Sequence, residues 1–158
     1  MTSNETDNGT QSLLRYTAKR DVTGALVYVF CMRADNRQMA LEPLVTRALQ
    51  RGEIHELIVS QSPDIDPGKP VPDVAYIGFF EIEQGGIAEV GDDVFAGDRR
   101  LGRLAGFDLT HMPNHLNVVV ATDQALTGAE LSLALGAPIV FRTPAGARPA
   151  PEGIHLKL

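Results

Sequence analysis

A chain of 158 residues has the length of one domain and can bury a core without disulfide or metal staples. Its formal net charge of −6 and its lack of tryptophan argue against nucleic acid as a partner, by charge or by base stacking. No apolar run approaches the roughly 20 residues of a spanning helix, and the polar, acidic start MTSNETDNGTQS lacks the features of a secretory signal. A cytoplasmic protein with no membrane partner is therefore expected.

Residues 1–12 read as a flexible tail ahead of a single domain over 13–158. LLRYTAKR and ALVYVFCMR, separated by the turn-like DVTG, are expected to pair as a hairpin. The β-branched and aromatic content of the second marks a central strand. Cys31, the single cysteine, falls in the apolar run LVYVFCM and reads as a buried, inert thiol. It rules out an internal disulfide framework and a cysteine-rich zinc site.

In ALEPLVTRALQRGE the apolar positions Leu41, Leu44, Val45, Ala48 and Leu49 recur at helical spacing and predict an α-helix over about residues 42–51. Pro43 suits its first position, Arg47 and Arg51 its negative end, and Gly52 its stop. HELIVSQ follows as a strand. His55 stands at its mouth beside Glu53 and Glu56, in the pattern of a solvated strand end. SPDIDPGKPVPD carries prolines at 63, 67, 70 and 72, which forbids a helix and predicts a Pro-rich loop over 62–73, either a lid or a fixed strap.

From Val74 onward short strands and glycine turns take over. VAYIGFFEIE reads as a strand, QGG as a turn, and IAEVGDDVFAGDRRLGRLAGF as successive hairpins. Arg99, Arg100 and Arg103 follow Asp92, Asp93 and Asp98, a mixed-sign pattern that marks a solvated hairpin or offers guanidinium groups to an anionic ligand. HLNVVVAT is a buried strand, AELSLAL alternates with period two and reads as a strand, and IVFR follows the GAP turn. The proline- and glycine-rich PAGARPAPEG leads into IHLKL, a candidate edge strand carrying His155. The fold expected is mainly β (α+β), a small closed or half-closed β-barrel of short antiparallel strands with one α-helix.

FDLTHMPNHLN, residues 107–117, is too rich in polar chemistry for plain scaffolding. Three readings compete. In the first, His111 and His115 ligate a divalent metal, zinc or similar. A strand would hold two such residues about 13 Å apart, so only a helical or irregular turn makes them a chelate. Asp108 would be the third group, with Glu81 or Glu83 as remote alternatives. In the second, Asp108 fixes the tautomer of His111 as an acid–base pair, with His115 as its partner. Asn114, Asn117 and Arg103 would then bind substrate. In the third, the stretch is an ordinary turn whose Asp and Asn bond nearby backbone.

Ser60, Ser62 and Ser132 lack the strand–turn–helix context of a serine nucleophile, and no phosphate-binding glycine loop is present. The composite expectation is a small cytoplasmic enzyme, a homo-oligomer, acting on a small-molecule ligand as a lyase, isomerase or hydrolase. The alternative is a non-catalytic β-barrel module for ligand binding or assembly.

Overall fold

The computed structural model describes residues 16, 18–35, 39–62 and 64–146. Twelve strands are found among them and no helix. They are β1 (Val22–Val29), β2 (Arg33–Ala34), β3 (Met39–Ala40), β4 (Thr46–Leu49), β5 (Ile54–Ser60) and β6 (Pro70–Val71). Then come β7 (Val74–Gln84), β8 (Gly86–Glu89), β9 (Asp93–Ala96), β10 (Arg99–Asp108), β11 (Asn117–Ala121) and β12 (Pro138–Arg142).

The main sheet runs β1-β12-β9-β10-β11-β5-β7-β2, and β7 also pairs with β1. The chain is thus mostly β, with seven of these strands hydrogen-bonded into a ring and β2 appended to β7. The closing contact is tight. A Cβ on Gly78 would meet the carbonyl oxygen of Tyr28 at 1.9 Å, so only glycine lets β1 lie this close to β7. One pair departs from the antiparallel expectation, because β11 and β5 run parallel. That pairing sets Glu56 level with Asn117.

Successive strand residues point to opposite faces, and two cores result. The larger gathers Leu26, Leu57, Phe80, Val94, Phe107, Val118 and Phe141, drawn from every strand of the ring, and so fills its interior. The smaller lies on the outer face, where Ile58, Tyr76, Ala105 and Val119 meet Met39, Leu41, Ile65 and Val71. The described part of the 62–73 segment covers this outer patch. Ile65 and Val71 are buried, and Arg103 donates to the Ile65 carbonyl at 3.0 Å.

Four local expectations fail. The α-helix expected over 42–51 is absent: Thr46–Leu49 is instead a strand paired with β8, from Thr46 opposite Glu89 to Leu49 opposite Gly86. The open edge of β8 claims the segment, and tertiary pairing outweighs an intrinsic preference worth tenths of a kcal/mol per residue. Leu44 and Ala48, expected on the buried helix face, are exposed. Gly52 does end the element, at a φ of 89° in the turn that returns to β5.

AELSLAL is not a strand either. Thr127 and Glu130 exchange hydrogen bonds as a capping box, with the Glu130 N–H donating to Thr127 Oγ1 at 3.1 Å and the Thr127 N–H to Glu130 Oε1 at 3.2 Å. The chain then winds through helical turns, Leu131 N–H donating to the Thr127 carbonyl. Cys31 is exposed rather than buried, since β1 ends at Val29 before reaching it. Of LLRYTAKR, Tyr16 and residues 18–20 belong to no strand. The tail over 1–12, the IHLKL segment and His155 lie outside the described residues.

Candidate metal centre at the Thr110–Asn114 turn

Across the outer face, Asp108 stands opposite Asn117, and Asn117 opposite Glu56. Partners in register put their side chains on one face, so these three form a polar row over β10, β11 and β5. The connection between β10 and β11 folds beside it. Its turn is irregular rather than a two-residue hairpin, with a cis Met112–Pro113 bond and the His115 N–H donating to the His111 carbonyl at 3.3 Å. That i to i+4 closure brings the two imidazoles together, with ring centroids 5.0 Å apart and planes tilted by 45°.

The beginning of β5 grips the end of this turn from both faces. Leu116 donates its N–H to His55 Nδ1 at 3.0 Å, and its carbonyl accepts from the Glu56 N–H at 3.0 Å. His55 is therefore no solvated strand end. It is buried, and its Nε2 lies 3.0 Å from Glu53 Oε2. Burial holds its pKa below the usual 6.5, against the opposing pull of Glu53.

The result is a set that the sequence alone did not assemble. One ligand atom from each of Glu56, His111 and His115 lies within 4.8 Å of the other two. Glu56 and His115 are buried and His111 is exposed. His115 Nε2 is 3.2 Å from Glu56 Oε2, within ion-pair reach but not aligned for a hydrogen bond. On the far side of that ring, Nδ1 is 2.8 Å from the Asn114 amide. As placed, Asn114 Nδ2 faces Nδ1; a cation on Nε2 would require the amide turned so that its oxygen accepts from Nδ1–H.

Asp108 does not touch His111 directly, as the acid–base reading required. Asn117 stands between them, its Nδ2 donating to Asp108 Oδ2 at 2.7 Å and lying 3.3 Å from His111 Nδ1. The other Asp108 oxygen accepts from Thr110 Oγ1 at 2.8 Å. Asp108 thus orients the amide and the turn rather than the imidazole.

Among the described residues, two buried side-chain polar atoms have no hydrogen-bond partner: His115 Nε2 and Asn117 Oδ1. Both belong to this cluster. Buried polar atoms are paired with few exceptions, and an orphan marks a place where an ion, water or ligand completes the network.

Arg103 is not part of the cluster. It lies five residues back along β10, beside Asp66, and lines a cleft of ≈ 400 Å³ with Arg99, Arg100 and Thr122. Glu81 and Glu83 are exposed, and neither joins the ligand set. Glu56 takes the place proposed for them. Its signal was legible: in EIHELIVS it alternates with Ile54 and Ile58, a carboxylate on the apolar side of a strand.

No curated protein and no solved structure matches the chain at a significant level. A protein-family model does match, over residues 16–142, from Tyr16 to the last residue of β12 and so across every element of the site. The chain belongs to that family, described as a family of unknown function (DUF6917).

Proposed function

We propose that the protein is a small metal-assisted enzyme in which Glu56, His111 and His115 hold one divalent cation, zinc or a similar ion. The observation that carries this reading is the pair of orphaned buried atoms, His115 Nε2 and Asn117 Oδ1, beside a carboxylate with which His115 makes no directed hydrogen bond. Two imidazoles and one carboxylate are a common donor set for catalytic zinc and for other divalent ions, and three protein ligands leave a coordination position for water or substrate. In a tetrahedral site with bonds of about 2.0–2.1 Å the donor atoms sit ~3.3 Å apart. The set closes to that spacing by movement of His111, the exposed member.

A cation held there polarises a substrate oxygen or lowers the pKa of a bound water, chemistry that suits a lyase, isomerase or hydrolase acting on a small molecule. The chain's own groups divide the remaining work. Asp108 and Asn117 fix the turn, Asn114 orients His115, and Asn117 Oδ1 is available to a donor on the substrate. The ring of strands reads as a small half-open barrel with the centre on its outer wall, in a cytoplasmic protein.

The test is calorimetric titration of zinc into the metal-stripped protein and into Glu56→Gln, His111→Ala and His115→Ala. One equivalent is expected to bind the wild type, and each variant to lose at least about tenfold in affinity. Equal binding by all four proteins would remove the centre. A second reading, a non-catalytic assembly module that forms homo-oligomers, is favoured by the exposure of Val27, Tyr28 and Met32 beside the ring closure.

A further inference from the structure

The polar row does not stop at Glu56. Phe79 stands opposite Glu56 on β7, and Tyr28 opposite Phe79 on β1. One line of in-register positions therefore crosses five strands, carboxylate and amide over β10, β11 and β5, aromatic over β7 and β1. The rings connect physically to the ligand set. Phe79 meets the His115 imidazole edge-on at 5.0 Å, Tyr28 meets Phe79 edge-on at 5.7 Å, and Phe30 lies 4.8 Å from Tyr28 and 5.4 Å from Phe79. Tyr76 backs Phe30 at 5.6 Å.

Nine phenylalanines and tyrosines occur in the whole chain, and four form this connected group: Tyr76 and Phe30 belong to the smaller core, while Phe79 and Tyr28 continue it outward from the His115 imidazole. They are not all buried. Tyr28 is 53 % exposed, and Phe30 and Phe79 are half-buried. Aromatic surface left wet next to a polar centre is the composition of a ligand site, where apolar faces supply affinity and a few polar groups fix orientation.

Resting on the cation reading above, we infer that this site takes an aromatic ligand bearing an oxygen donor, such as an aryl carboxylate or phenolate. The oxygen would meet the cation held by Glu56, His111 and His115, and the ring would pack on Tyr28 and Phe79. Tyr28 is two strand spacings from Glu56, about 10 Å, which a single substituted ring spans.

Two hydroxamates with the same metal-binding group test the inference on the zinc-loaded protein. Benzohydroxamate carries a ring and acetohydroxamate a methyl group. Calorimetry is expected to find the aromatic probe tighter by at least about tenfold in the wild type. That preference is expected to fall to within about threefold in Tyr28→Ala, which still takes up zinc, and in Phe79→Leu compared at zinc saturation.

Equal affinities in the wild type, or a preference unchanged in both variants, would overturn the aromatic subsite while leaving the cation in place. Light scattering on the same samples identifies the rival. A dimer that Tyr28→Ala dissociates, with the preference unchanged, would give these rings to a second copy. Failure of the wild type to bind zinc at all would remove the cation reading and this one together.

Discussion

His55 and Glu56 are neighbours in sequence and serve opposite sides of the sheet. Strand geometry turns His55 inward, where it accepts the Leu116 N–H, and Glu56 outward, beside His115. His55→Ala removes that buried acceptor and empties its space. A loss of about 2–4 kcal/mol in urea unfolding is expected, with weaker zinc uptake because His115 is no longer anchored through Leu116. A loss indistinguishable from zero would mean that the Leu116 N–H is satisfied without it.

The sign of the pH dependence follows from the same bond. Unfolded His55 takes a proton near 6.5, whereas the folded residue, its pKa lowered by burial, stays neutral further down. Its contribution is complete above 6.5 and is lost as pH falls through the folded value. Urea midpoints should therefore decline on acidification below 6.5, and His55→Ala should decline less steeply.

The sequence singles out His111, His115, Asp108 and Asn117 by their density in one stretch, and the structure brings them together around the Thr110–Asn114 turn. Glu56 escapes that reading because 52 to 61 residues of chain separate it from them, and only the parallel β5–β11 pairing makes them neighbours. The same reading gives Asp108 the wrong contact, since alternation along a strand cannot show that an amide from the next strand intervenes.

Elements were legible where local pattern and tertiary demand agree. VAYIGFFEIE and IVFR are strands in the structure as their composition says, and so are HELIVSQ up to Ser60 and the Asn117–Ala121 part of HLNVVVAT. Residues 42–51 satisfy a helical period and still become a strand, because the edge of β8 offers hydrogen bonds that no local rule reveals. AELSLAL shows the reverse error. Its alternation suggested a strand, but TGAE just upstream is a capping box, and that signal wins.

The clearest test at this scale is Gly78→Ala. One methyl group would sit 1.9 Å from the Tyr28 carbonyl oxygen, and nothing flexible stands there to yield. A loss on the order of 3 kcal/mol or more is expected, read as a fall in Tm. A variant as stable as the wild type would mean that β1 moves off β7 at little cost.

At the scale of the whole molecule, the ring of strands separates two tasks. Its interior carries the larger core, from Leu26 and Phe80 to Phe141, while the outer wall carries both a smaller core and the polar cluster of Glu56, His111 and His115. A mainly β body with glycine turns could be read from composition and period. Ring closure could not, because it depends on β1 meeting β7 and β12 across most of the chain.

That wall, the β5 strand and the Thr110–Asn114 turn converge on Glu56, His111 and His115. The most direct test of a cation centre there is a zinc-soaked crystal with anomalous data collected on both sides of the zinc edge. One strong zinc peak bonded to Glu56, His111 and His115 together is expected. A peak seated elsewhere, or none at full zinc saturation, would contradict that centre.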